Sequence, residues 1–263
     1  QLLARVRKAE QPLIDYVNRQ LYYGIKTGLN EAFVISREQR DALIAEDKSS
    51  ADVLKPYLRG RDVKRWHAEP QDLWLIFLPW HFQLQDTENV SGASVQAEKQ
   101  FQQTYPANYR HLLAYKSELS ARDKSEIGIR YEWYALARHR EYWREFLRPK
   151  IIFPAIQNEV SYAADLDGHF GNDKTTIIVS ENWRSVLTVL NSAVSWWITW
   201  ELFASKQGGY FEFKPMYVSA IPVPSITGSQ RELIDPLVNS VLHGISRPEF
   251  EPLLNRLVNE QYY

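Results

Sequence analysis

Residues 150–179 read KIIFPAIQNEVSYAADLDGHFGNDKTTIIV, and this stretch decides the fold class. Ile151 to Ile156, Val160 to Leu166 and Thr175 to Val179 are short runs of branched and aromatic residues bounded by turn formers, the pattern of strands. The last two are joined through Asp167-Gly168 and the loop to Lys174, which reads as a hairpin turn. Downstream, Arg184 to Ser205 has the length and apolar spacing of a helix, followed by a loop containing Gly208-Gly209, a short strand near Tyr217 and Ile221-Pro222-Val223-Pro224. From Ser225 two helical stretches follow, one presenting Leu237, Val241 and Ile245, the other Phe250, Leu253, Leu254, Leu257 and Val258; Asp235-Pro236 marks a candidate start of the first.

Upstream, residues 1–10 read as a short helix ending before Pro12, and Asn18 to Ile25 as a strand. Glu38 to Asp47 is a helix, Ser49 or Ser50 caps a turn running into Lys55-Pro56, and Leu73 to Leu78 is a buried strand. Ser94 to Ser120 is helical with a second piece opening at Pro106, and Trp133 to Phe146 is a further helix. Strands interleaved with helices without a βαβ rhythm give an α+β class: a mixed, largely antiparallel sheet with packed helices over residues 1–224, and a helical C-terminal appendage over 225–263.

With 263 residues, 44% of them hydrophobic, and 9 Trp, 15 Tyr and 11 Phe, the chain can fill a core. The absence of Cys excludes a disulfide framework, thiolate zinc and a Cys nucleophile, and fits a reducing cytoplasm. No charged-then-apolar leader opens the chain, so Gln1 reads as an internal cut. Val186 to Ala204 carries one charge, Glu201, but its scattered Asn, Ser and Thr favour a buried helix over a membrane span. A net charge of −1 gives no global argument for nucleic acid, so any such case is local.

Catalytic patterns are missing. There is no GxGxxG or phosphate-loop motif, no Asn-Pro-Pro-Tyr and no Pro-Pro. The six His, at 67, 81, 111, 139, 169 and 243, form no i,i+4 pair, which argues against a metal site. Asp165, Asp167 and Gly168 echo the start of a calcium loop, for which a turn is the simpler account. Glu212-Phe213-Lys214 is the E-x-K half of a Mg²⁺ nuclease motif without its Asp; the alternative is a surface strand with Phe211 and Phe213 inward. Lys55, Arg59, Arg61, Lys64 and Arg65 stand against one acid, Asp62, as a phosphate-binding segment or a solvated face. Arg138, Arg140, Arg144, Arg148 and Lys150 interleave with Glu141 and Glu145, which favours surface ion pairs on a helix. The Trp residues at 196, 197 and 200 allow base stacking, but their spacing fits core packing.

Gly24-Ile25-Lys26-Thr27-Gly28-Leu29-Asn30-Glu31-Ala32-Phe33 resembles the signature that opens the TaqI-like specificity domain of type II restriction-modification enzymes. Leu54 to Asp62, Lys150-Ile151-Ile152-Phe153-Pro154, Leu190-Asn191-Ser192 and Ile221-Pro222-Val223-Pro224 follow in that family's order. The resemblance implies a sequence-specific duplex DNA-binding module. In the family an upstream domain of the parent methylates adenine N6 with S-adenosylmethionine after flipping the base, some parents adding a Mg²⁺-dependent nuclease. This chain is then expected to hold no cofactor and no catalytic residue, and to partner double-stranded DNA and the upstream methyltransferase domain, with its tail packing on either domain; a phage-defence methyltransferase is an equal parent. On the same basis the DNA contacts are Lys26, Thr27 and Asn30 on the glycine turn, Arg59, Arg61, Lys64 and Arg65 as phosphate-positioning charges, Asn172 and Lys174 with Asp173 on a loop, and Lys206 and Gln207 beside Gly208-Gly209. The competing readings are a nuclease using Glu212 and Lys214, and a protein-interaction scaffold using the tail.

Overall fold

A computed structural model describes residues 11–82, 92–122, 131–244 and 247–260, with the side chains of 247–249 outside the description. The expected helix over residues 1–10, and Ile245, lie outside the described residues. The fold is α+β. The chain forms two compact units, one built from residues 1–24, 59–69 and 144–263, the other from 25–58 and 70–143.

The first unit is organised on a five-stranded sheet in the order Leu21–Tyr23, Thr175–Ile178, Lys150–Pro154, Ala163–Asp165, Trp66–His67. Neighbours are antiparallel except for the last pair, where Trp66 lies opposite Ala163 in a parallel register. The sheet supplies Ile151, Phe153 and Ile178 to a core completed by Val186, Leu187 and Leu190 of the helix Trp183–Leu190. The tail helices Gly228–Leu242 and Arg247–Asn259 add Ile234, Val238, Leu254 and Val258 to the same core. Val223 and Pro222 pair with Gln11 and Pro12 in a two-stranded ribbon. A smaller sheet pairs Ser205–Lys206 with Tyr210–Glu212, and the latter with Ile156–Gln157.

In the second unit Leu73–Ile76 pairs antiparallel with Val34–Ile35 and with Leu54–Leu58. The helix Arg37–Glu46 starts at a Ser36/Gln39 capping box, which satisfies two otherwise orphaned amides. Ser94 caps Val95–Thr104, and Pro106 opens the helix Pro106–Leu113 as expected. Phe101, Tyr109, Trp133 and Tyr134 form an aromatic cluster, with Phe101 and Tyr134 stacked at 4.7 Å.

Several local expectations are corrected. Trp133 to Phe146 is not a helix, and only Trp143–Leu147 forms a 3₁₀ turn. The amides of Leu136, Ala137 and Arg138 bond to Leu78, Thr27 and Lys26 instead of to the preceding turn, so the apolar run is a buried extended segment. The Arg138 to Arg148 charges therefore do not share a helix face, and Lys150 is buried on a strand. The helix expected over Arg184 to Ser205 breaks at Asn191: its side chain bonds both the amide and the carbonyl of Tyr162, and Ser192 caps a new helix, Ala193–Leu202. The segments around 165 and 175 do not form a hairpin, because Lys150–Pro154 lies between them. The segment near Tyr217 is a helical turn, Pro215–Val218. Asp47, not Ser49 or Ser50, caps the turn after the helix Arg37–Glu46. The first tail helix begins at a Thr227/Gln230 capping box, with Pro236 inside it. Trp200 is 61% exposed rather than packed away. Among the described residues no helix is long and apolar enough to cross a membrane.

Candidate functional site

The basic segment 55–65 divides into cations used by the fold and cations presented to solvent. Arg59 grips Asp62 in a bidentate pair, Nε to Oδ2 at 2.9 Å and Nη2 to Oδ1 at 2.8 Å, with the Asp62 side chain 4% exposed. Asp62 also accepts from the Arg59 amide, which tightens the turn. Arg65 donates to Glu251 on the last tail helix and to the Asn191 carbonyl. Beside it Trp66 Nε1 donates to the other Glu251 oxygen at 2.9 Å, while Trp66 adopts φ 77°, costly for a bulky residue. This junction also explains the Leu190-Asn191-Ser192 landmark: Asn191 fastens Tyr162 with its side chain and Arg65 with its carbonyl. Arg61 and Lys64 are exposed, with Lys64 Nζ donating to the Arg61 carbonyl.

The glycine turn shows why its glycines are there. A Cβ at Gly24 would lie 1.8 Å from the Asn172 carbonyl oxygen, so this backbone approach admits no side chain. Lys26 and Arg138 form an antiparallel bridge through their backbones. Thr27 is buried and donates from Oγ1 to Asn30 Oδ1 at 2.7 Å, which leaves Asn30 as the exposed polar residue of the turn. Gly28 has φ 82° and is exposed. Beneath it lies Arg122, a residue that sequence reading did not single out. Its guanidinium donates to the carbonyls of Thr27, Leu119, Trp133 and Ala135. No local motif marks it, because three of its four partners lie eleven or more residues away.

The remaining candidates sit on loops of the first unit. Asn172 is partly buried; its backbone carbonyl accepts from Thr175 and its side chain accepts from the Lys174 amide, while Lys174 is exposed. Gln207 is exposed at the tip of the Ser205–Glu212 hairpin, whose Gly208 and Gly209 both have positive φ. Glu212 accepts from Lys206 at 2.8 Å and Lys214 at 2.7 Å, and these two hydrogen bonds hold its carboxyl below the usual range. Its carboxylate is thus engaged by both flanking lysines, with Phe211 and Phe213 inward.

Sequence spacing also missed the i,i+4 relation of Asp165 and His169. The donor atoms of Asp165, Asp167 and His169 lie within 4.8 Å of one another. Asp165, however, already accepts from Lys150 Nζ, His169 Nδ1 and the amides of Asp167 and His169. The lysine ammonium already pairs with the Asp165 carboxylate at 2.5 Å.

Comparison with known proteins assigns the scaffold. The model of the TaqI-like C-terminal specificity domain matches residues 55–223. The chain belongs to this family. Four of the five ordered landmarks lie in or overlap the matched span, whereas Gly24–Phe33 precedes it. Among solved structures, the chain is similar to the type IIL restriction-modification enzyme MmeI in complex with DNA, with TM-score 0.58 and 10% identity over 92% of this chain and 32% of that one. The type IIG restriction endonuclease BpuSI also aligns, with TM-score 0.48 and 13% identity over 99% of this chain and 33% of that one. The specificity domain described here therefore spans about a third of the length of these enzymes. No curated protein matches it.

Proposed function

We propose that this specificity domain recognises a base sequence in duplex DNA for a restriction-modification or phage-defence enzyme whose adenine-N6 methyltransferase chemistry, with S-adenosylmethionine, is performed by residues outside these 263. The family match over residues 55–223 carries the reading. The fold shared with MmeI, a protein described in complex with DNA, supports it. Arg61, Lys64, Lys174 and Lys206 offer exposed cations for phosphates, and Asn30 and Gln207 offer exposed amides able to pair with base edges. The nuclease alternative has less support, since Glu212 is clamped by two lysines and the group of three potential metal donors among the described residues lies elsewhere, at Asp165, Asp167 and His169. In this reading any Mg²⁺ for cleavage, like the methyl donor, is held by the rest of the parent, and the domain works in the cytoplasm.

The test is selection of randomised duplexes by the 263-residue chain and by the parent enzyme at fixed salt. Enrichment of one short sequence by both supports the proposal. Equal retention of all sequences by the parent sinks it, and Mg²⁺-dependent cleavage by the chain, abolished in Glu212→Ala, would establish the nuclease reading instead.

A further inference from the structure

Arg122 differs from Arg59 and Arg65 in its partners. Arg59 and Arg65 meet carboxylates, Asp62 and Glu251 respectively. Arg122 meets four backbone carbonyls, and among the described residues no carboxylate accepts from it. The group is partly buried, and its guanidinium carbon lies 5.7 Å from the centre of the Phe33 ring and 5.6 Å from that of Tyr131. Carbonyl dipoles satisfy its N–H groups without cancelling its charge, and a cation in such surroundings gains more from a counter-anion than one in water. The way in is position 28. A Cβ there would lie 2.9 Å from Arg122 Cδ and 3.1 Å from Nη1, so the missing side chain keeps an edge of the guanidinium next to the exposed turn. The backbone bridge between Lys26 and Arg138 brings two further cations to the same turn.

We propose that Arg122, reached over Gly28, is an anion subsite that takes one backbone phosphate of the bound DNA. The inference rests on the DNA-recognition reading and adds a phosphate position to it. The phosphate would complete the charge pairing of a cation from which no carboxylate accepts among the described residues, and Arg122 would thereby tie DNA engagement to the segments of Thr27, Trp133 and Ala135 that it holds together.

Two measurements test it. In fluorescence anisotropy with a labelled random duplex, Arg122→Gln in the full chain removes the charge and keeps an amide donor for the carbonyls. The expected result is a roughly ten-fold loss of affinity and a fall of about 0.9 in the slope of log K against log salt. An unchanged slope in a variant that melts like the wild type overturns the subsite. Should the variant melt early, the wild-type chain decides: in NMR titration with inorganic phosphate, saturable shifts of the Gly28 amide and the Arg122 side chain support the subsite, and their absence overturns it. Phosphate shifts at those groups in a chain that binds no duplex would support the anion subsite and overturn the DNA reading, so the two failures are distinguishable.

Discussion

Lys150 and Asp165 face each other on neighbouring strands with Nζ and Oδ2 2.5 Å apart and both side chains within 2% of full burial. Removing one partner leaves the other charge buried without compensation, which typically costs about 3–5 kcal/mol. Asp165→Asn should lower the melting temperature sharply, while Lys150→Met combined with Asp165→Leu should cost less than the single change, as differential scanning calorimetry can show. Burial by itself would raise the Asp165 pKa, but hydrogen bonds from His169 and Lys150 and their charges outweigh it and leave the carboxyl below its ordinary 3.8. A depressed carboxyl stabilises the fold fully above its unfolded value and loses that contribution as pH falls through the folded one. Acid unfolding of the wild type below about pH 4 should therefore be less steep in the double variant.

The division within the basic segment predicts two phenotypes. Arg61→Ala and Lys64→Ala should each weaken duplex binding and lower the salt slope by up to about 0.9, with little change in melting. Arg59→Ala and Arg65→Ala should destabilise by about 1–3 kcal/mol, because each removes a guanidinium that pairs with a carboxylate, Asp62 or Glu251. Urea titration beside salt-dependent binding checks both. Slope changes confined to Arg59 and Arg65 would reverse the assignment.

His139 should make the second unit sensitive to mild acid. Burial first, then the nearby His81 and Arg140 charges, push its pKa down to about 4. Its Nδ1 accepts from the Trp80 amide at 3.3 Å, which requires a neutral ring. Because the folded value lies below the unfolded 6.5, the unfolded chain binds the extra proton, and stability falls as pH drops from 6.5 towards about 4. His139→Gln should flatten unfolding free energy across that window, measured by denaturant titration at several pH values; an equal slope in the variant would assign the acid sensitivity to another group.

Gly24→Ala should be far more damaging than Gly209→Ala. A Cβ at 24 meets a backbone oxygen at 1.8 Å, whereas at Gly209 nothing lies within 4 Å and only the positive φ is strained. The first variant should lose several kcal/mol or fail to fold and the second about 1 kcal/mol, read as melting temperatures.

Legibility in the sequence followed the range of the interactions. Elements set by their own residues were readable: the helix Arg37–Glu46, the restart at Pro106 and the strand at Leu73. Where the decisive partner is remote, the pattern misled. Trp133 to Phe146 carries helix-compatible apolar spacing, yet its amides go to Thr27 and Lys26. The apolar run through Leu190 looks continuous because nothing local says that Asn191 will bind Tyr162. The candidate site divided in the same way: charge density singled out residues 55–65, but the distant Glu251 and Asn191 distinguish Arg65 from Lys64, and Arg122 gave no signal at all.

The order in which the two units share the polypeptide governs how specificity could be re-engineered. The backbone passes between them after residues 24, 58, 69 and 143, so neither unit can be transplanted as one continuous cassette. A graft of the second unit needs two inserts, 25–58 and 70–143, with residues 59–69 retained from the host. A chimaera cut once, anywhere between residues 25 and 143, would pair halves of unlike parentage inside at least one unit.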